Sequence, residues 1–163
     1  MFTEKNLTGY PSIDKPWLKY YSGEAISAPL PECSIYEYLW ENNKDQLDDI
    51  AISYFDRPIK YQELFTNIEN AAKSFTALGI TQGDIVILTT VTTPEIIYAI
   101  YALNRIGAIS FMVDPRTSMD GIKMCMEETK AKIALTINIA YPKIEIAASN
   151  TLIEKIIVVS PAD

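Results

Sequence analysis

The sequence contains no histidine. A Ser-His-Asp triad therefore cannot be assembled, nor can a Cys-His pair, and a zinc site with imidazole ligands is excluded. Cysteine is almost as scarce, with Cys33 and Cys125 the two present. Two isolated thiols make no thiolate metal site, and they read as buried or half-buried free thiols in a reducing compartment. Glycine is thin and scattered. Gly9, Gly23, Gly79, Gly83, Gly107 and Gly121 form neither a Gly-x-Gly-x-x-Gly turn nor a phosphate loop ending in Gly-Lys-Ser/Thr. Positive charge is also short: fourteen Lys and Arg stand against twenty-one Asp and Glu, for a formal net charge of −7. Binding to nucleic acid draws on a positive field that displaces counterions, and no run of the sequence gathers one, so no nucleic-acid partner is expected. Long apolar runs are missing too. The longest, from Ile96 to Ile109, is interrupted by Asn104, Arg105 and Gly107 and is too short for a transmembrane segment. The opening residues MFTEKNLTGYPSIDKP lack a basic start followed by an apolar core, so no signal peptide is read there. Asn6-Leu7-Thr8 is then a chance glycosylation match, and a cytoplasmic location is expected.

What is present fits one α/β domain. The 163 residues are 48% hydrophobic and 21% charged, the balance of a globular protein large enough to bury a core without disulfides. Residues 1–32 carry Pro11, Pro16, Pro29 and Pro31 among the aromatics Tyr10, Trp17, Tyr20 and Tyr21. Four prolines forbid a long helix, and the aromatics want a surface, so the segment reads as an extended N-terminal arm laid over a folded body. The body begins at residue 33. Ser34-Ile35-Tyr36-Glu37 is a capping box opening a helix to about Lys44. Ile50–Tyr54 and Ile59–Tyr61 flank Asp56-Arg57-Pro58 and predict a small β-hairpin. Between Gln62 and Leu78, apolar residues at 64, 65, 68, 71, 72, 75 and 78 follow the helical period, and Gly79 stops the helix.

From there helices and strands alternate. Asp84–Thr90, Ile109–Val113, Ile133–Ile137 and Ile156–Val159 are short apolar runs typical of strands covered on both faces. Thr93-Pro94-Glu95 supplies a capping hydroxyl, a first-turn proline and an acid for the helix Pro94–Ile106, which is apolar nearly all round. Ser118 caps a helix to about Lys130, and a weaker one covers roughly Lys143 to Asn150. The alternation predicts a mostly parallel sheet flanked by helices, preceded by the hairpin and the arm.

Candidates for chemistry are few. The hydroxyls of Val91-Thr92-Thr93-Pro94 stand where a phosphate could meet a helix N-terminus, but helix capping accounts for them. Asp48-Asp49 and Glu127-Glu128 read as solvated surface acids. Asp114 ends a buried strand, where α/β proteins place ligand residues, yet Asp114-Pro115 also serves as turn chemistry. No catalytic, cofactor-binding or metal-binding residue is assigned.

Taken together, several stretches resemble the start of the adenylate-forming, or AMP-binding, superfamily. Ile59-Lys60-Tyr61-Gln62-Glu63-Leu64 is similar to that family's Leu-Thr-Tyr-x-Glu-Leu motif. Leu78-Gly79 followed by Gly83-Asp84-Ile85-Val86 matches its Leu-Gly, Gly-Asp-Val-Val passage. Pro94-Glu95, then Arg105-Ile106-Gly107-Ala108 and Asp114-Pro115, match its second core motif, although the first of two usual prolines is missing. The arm, with Gly9-Tyr10-Pro11 and Lys15-Pro16-Trp17, resembles bacterial fatty-acid–CoA ligases more than peptide-synthetase modules. The resemblance covers roughly residues 34–160 and implies the truncated N-terminal subdomain, residues 33–163, of an acyl-CoA synthetase. In such an enzyme a carboxylic acid attacks the α-phosphorus of ATP with Mg2+ present, pyrophosphate leaves, and coenzyme A takes the acyl group as AMP departs. The family's phosphate loop, its Tyr-x-x-Thr-Glu element, its ribose-binding aspartate and its catalytic lysine have no counterpart in these residues. The chain alone is therefore expected to be inactive, to hold none of these cofactors, and to self-associate through its truncated face. A non-enzymatic α/β binding module and a peptide-synthetase adenylation fragment are the alternatives.

Overall fold

The computed structural model describes residues 7–160, which fall in two units divided between Glu32 and Cys33. The first six residues of the arm and the last three of the second unit lie outside the described residues.

In the first unit the chain is not continuously extended. It winds into helix α1 (Pro11–Asp14), a 3₁₀ turn (Pro16–Tyr20) and helix α2 (Gly23–Ser27). Two of the three turns carry a proline in their first two positions, where its missing N–H costs nothing. The Asp14 carboxylate ties the unit's start by accepting from Thr8 N, Thr8 Oγ1 and Gly9 N, each at 2.9 Å, and these bonds lower its pKa. No residue of the three turns is buried.

The second unit opens with α3 (Ile35–Asn43), whose capping box is formed as its sequence predicts. Glu37 N donates to Ser34 Oγ at 3.1 Å and Ser34 N donates to the Glu37 carboxylate at 2.7 Å. Antiparallel β1 (Ile50–Tyr54) and β2 (Arg57–Lys60) follow. The turn lies earlier than Asp56-Arg57-Pro58: its central residues are Phe55 and Asp56, with φ of 46° and 63°. Pro58 sits within β2, a position open to proline in a two-stranded ribbon.

Helix α4 (Tyr61–Ala77) then leads to β3 (Ile85–Thr89), α5 (Pro94–Arg105), β4 (Ile109–Met112), α6 (Met119–Thr129), β5 (Ile133–Ile137), a 3₁₀ turn (Asn138–Ala140), α7 (Tyr141–Ala148) and β6 (Lys155–Val159). The four strands β3 to β6 form one parallel sheet in the order β4-β3-β5-β6. Alternate side chains feed two cores. Val86, Leu88, Ile133 and Leu135 pack with Leu64, Ile68, Ile96 and Leu103 of α4 and α5. Ile87, Ala134 and Ile137 pack with Ile122, Met126 and Ile144 of α6 and α7. Period-two strands and two helical layers make the sheet doubly wound. Helix α5 buries Pro94, Ile96, Ala99, Ala102 and Leu103 and presents no full face to water. Cys125 is half-buried as expected, but Cys33 is exposed because it precedes the α3 cap, outside either core.

Candidate functional site

The connections from β3 to β4 and from β5 to β6 run outward in opposite directions, so the winding reverses between β3 and β5. In open α/β sheets ligands meet the protein at the carboxyl ends of the strands flanking such a reversal. In this chain that crest is built from threonine. Thr89 ends β3, Thr136 is next to last in β5, and both are fully buried. Each hydroxyl serves a backbone carbonyl across the strand gap. Thr136 Oγ1 donates to Thr89 O at 2.9 Å, and Thr89 Oγ1 donates to Leu135 O at 3.3 Å. The reversal point is thus locked by side chain–backbone bonds between residues 46 and 47 apart.

Beyond β3 the chain passes through Thr90-Val91-Thr92-Thr93 into α5. Thr93 holds the N-cap position but makes no capping bond. The three serine caps that do bond, at Ser22, Ser34 and Ser118, have φ between −68° and −57°. Thr93 lies at −126°. Its hydroxyl is buried and without a hydrogen-bond partner, as is one carboxylate oxygen of Glu95. Capping therefore does not account for the Thr93 hydroxyl. One turn on, burial raises the Tyr98 phenol above its ordinary range, while a bond from Asn67 opposes the rise.

Asp114 lies two residues beyond β4, at the rim of a groove of about 430 Å³ shared with Thr90, Val91, Thr92, Met112 and Arg116. Its carboxylate is turned onto its own loop. Arg116 donates from Nη2 at 2.6 Å and from Nε at 3.0 Å, and Arg116 N donates at 2.8 Å. These bonds hold the Asp114 pKa down to about 2. The turn-chemistry reading of Asp114 is the one the geometry supports. Lys143 of α7 fixes the same loop by donating to Pro115 O and, at 2.9 Å, to Thr117 O. The side-chain amide of Asn138, at the carboxyl end of β5, meets Ser160 Oγ at 3.4 Å.

A cavity of about 290 Å³ lies at the opposite end of the sheet among Lys130, Lys132, Lys155, Asp84 and Glu154. Its lysines are drawn to the protein's own groups: Lys155 Nζ donates to Leu78 O at the end of α4, and Lys132 pairs with Glu154 at 3.8 Å. Among the described residues no group of three carboxylate or thiol side chains is placed to hold a metal ion. Asp48 pairs with Lys60 at 2.8 Å and Glu127 with Lys123 at 3.9 Å, so these acids are surface ion-pair members.

A four-stranded parallel sheet whose winding reverses between β3 and β5, with helices on both faces, defines a doubly wound α/β domain. The chain belongs to the family of AMP-binding enzymes, whose model matches residues 39–162. It is 20% identical over 150 residues to a long-chain-fatty-acid–CoA ligase of Bacillus subtilis, covering 91% of this chain and 27% of that protein. It is 28% identical over 129 residues to tyrocidine synthase 3 of Brevibacillus parabrevis, covering 79% of this chain and 2% of that protein. Its fold matches a crystal structure of an anthranilate CoA ligase in complex with anthranoyl-AMP. The TM-score is 0.75 at 19% identity, over 80% of this chain and 26% of the other. The chain thus spans about a quarter of each of these two CoA ligases. No helix among the described residues is long and apolar enough to cross a membrane.

Proposed function

We propose that this chain is the N-terminal scaffold of an ATP-dependent ligase that joins a carboxylic acid to coenzyme A through an acyl-adenylate, releasing pyrophosphate and AMP. The observation that carries the reading is the family match over 39–162, joined to a parallel sheet whose winding reverses between β3 and β5. The anthranoyl-AMP held by a ligase of the same fold supports an adenylate as the intermediate. ATP, Mg2+ and coenzyme A belong to the whole enzyme. Their site is expected to be completed by residues outside this chain; in support, Asp114 and Arg116 pair with each other and the Thr89 and Thr136 hydroxyls serve carbonyls. The chain's part is to hold the strand ends rigid where the cleft forms. By itself it forms no adenylate. The reading also includes fatty-acid metabolism, a cytoplasmic setting and self-association through apolar surface.

The test is to recover the native protein from cells with an antibody raised to residues 33–160. A polypeptide of the relatives' length with acid-dependent pyrophosphate exchange is expected. An 18 kDa species without partners or exchange would overturn the reading. The match to tyrocidine synthase 3 favours a second reading, in which the acceptor is a carrier-protein thiol. Acyl transfer to free coenzyme A by the recovered protein decides for the first; transfer only to a carrier domain decides for the second.

A further inference from the structure

Lys143 stands in the first turn of α7, yet its side chain serves the loop between β4 and α6, 26 to 28 residues earlier. Its Nζ donates to Pro115 O and, at 2.9 Å, to Thr117 O. These two carbonyls flank Arg116, whose backbone N–H and guanidinium both bind the Asp114 carboxylate. Thr117 N donates to Asp114 O at 2.9 Å, and Ser118 caps α6 immediately afterwards. Each residue from Asp114 to Ser118 is thus tied, and Lys143 supplies the ties that are distant in sequence. With both carbonyls held by α7, the Arg116 side chain between them is 89% exposed.

Stability alone does not explain a lysine at this position. Lys143 is half-buried, and no carboxylate among the described residues forms an ion pair with it. Asp114 feels its charge but binds Arg116 instead. An apolar side chain of similar length would fill the place without desolvating a charge. What the ammonium adds is direction, because three donors on one nitrogen can hold two carbonyls at once. The loop it fixes is one wall of the groove of about 430 Å³ at the carboxyl ends of β3 and β4, and Thr90, Val91 and Thr92 form the other. Scaffolds of this class present their ligand-facing groups on such loops. Resting on the ligase reading, we propose that Lys143 is a positioning residue of the enzyme: it fixes the β4–α6 loop, and with it the Asp114–Arg116 pair, at the rim of the substrate cleft. It touches no substrate itself.

The test has two arms. In the 163-residue chain, Lys143→Met should leave the urea midpoint near the wild-type value, while amide exchange at Arg116 and Thr117 becomes roughly tenfold faster. In the full-length protein recovered from cells carrying the substitution, Lys143→Met should lower kcat/KM for acid-dependent pyrophosphate exchange by roughly ten- to a hundredfold. Lys143→Arg keeps donors at the same place and should restore most of both. Lys123→Met, which removes a lysine paired with Glu127 on α6, should change neither. Wild-type kinetics in Lys143→Met overturn the proposal and leave the ligase reading standing. So does loop exchange that stays at the wild-type rate, or a loss of activity that Lys143→Arg leaves unrepaired. A fall in the urea midpoint with faster exchange throughout the sheet makes Lys143 a packing residue and overturns the proposal as well. A recovered wild-type protein without pyrophosphate exchange overturns the reading and the proposal together.

Discussion

Phe55 is the residue whose conformation conflicts most with its side chain. It occupies the first central position of a hairpin turn with φ of 46°, followed by Asp56 at 63°, where Asn-Gly is the preferred pair. An L-residue with a bulky side chain in this region costs roughly 1–2 kcal/mol. Phe55 recovers little of this, being 88% exposed and touching chiefly the Tyr54 ring at 4.6 Å. The double substitution Phe55→Asn, Asp56→Gly should therefore raise stability by about 1 kcal/mol, read as a higher urea midpoint. A lower midpoint would show that the Tyr54–Phe55 contact outweighs the strain. Nothing in the side-chain types announces this turn, because Asp-Arg-Pro just beyond it carries the stronger turn signature. Thr136 works the other way: its hydroxyl is buried and bonded to Thr89 O. Thr136→Val keeps the shape and orphans no hydroxyl, but loses that bond, and should cost about 1 kcal/mol in the same assay. A neutral result would mean that the crest is not locked by this bond. A signal for both threonines was available, since a hydroxyl inside a buried apolar strand must find a partner. Their partnership itself depends on the register of strands 47 residues apart, which local pattern does not contain. Asp114 gives a residue-scale prediction in pH. Its carboxyl is held at about 2, below the ordinary 3.8, by Arg116. A depressed carboxylate contributes stability above its unfolded pKa and loses it as pH falls through the folded one, here between about 3.8 and about 2. A carbon-detected titration should place the midpoint near 2, and Arg116→Ala should return it toward the ordinary value. A midpoint unmoved by that change would assign the depression to another cause.

Helix α3 shows what is legible at the level of elements. Its capping box follows from four consecutive residues and forms as such. What holds the helix onto the body does not. Asn104, in the last turn of α5, accepts from Tyr36 N at 2.8 Å and so serves a first-turn amide of α3 from 68 residues away. Arg105 adds to the same joint, lying 5.0 Å from the Tyr36 ring centre and pairing with Glu69 of α4 at 2.6 Å. Tyr36 and Trp40 in turn pack edge-on against Phe65. Asn104→Ala should thus leave α3 capped but loosened, with a loss of about 1–2 kcal/mol for the orphaned amide. Hydrogen exchange is the discriminating measurement. Faster exchange confined to residues 35–43 is expected, and uniform acceleration across the sheet would place Asn104 in the main core instead. The strands were readable for a different reason. Each is a short, largely apolar run, and in the central strands β3 and β5 that run is buried as its composition predicts. β4 and β6 have a similar composition but lie at the sheet edges and are partly exposed, because strand order is not written in local composition. The 3₁₀ turn before α7 was not, because Asn138-Ile139-Ala140 carries no period of its own.

At the scale of the whole chain, the two units differ in what supports them. Residues 7–32 form three short turns with no buried residue, closed locally by Asp14 and by the Ser22 cap. Both hydrophobic clusters are drawn entirely from residues 36–159. A helix of four or five residues has no independent stability in water, so the first unit cannot contribute a cooperative core of its own. The second unit contains a complete one: four paired strands, helices on both faces, and large side chains such as Ile68, Leu103, Ile122 and Ile144 fully buried. A boundary of folding is then expected where the two units divide, between Glu32 and Cys33. A chain comprising residues 33–163 should unfold in one cooperative transition, with a urea midpoint and slope close to those of the whole chain. The slope is the sharper readout, because it follows the surface exposed on unfolding, and residues 7–32 add little to that surface. Leu103→Ala should destabilise both lengths equally, by roughly 2–5 kcal/mol, since its site lies wholly within the second unit. A shortened chain that fails to fold, or one in which Leu103→Ala costs clearly more than in the full length, would show that the prolines and aromatics of the first unit are part of the core after all.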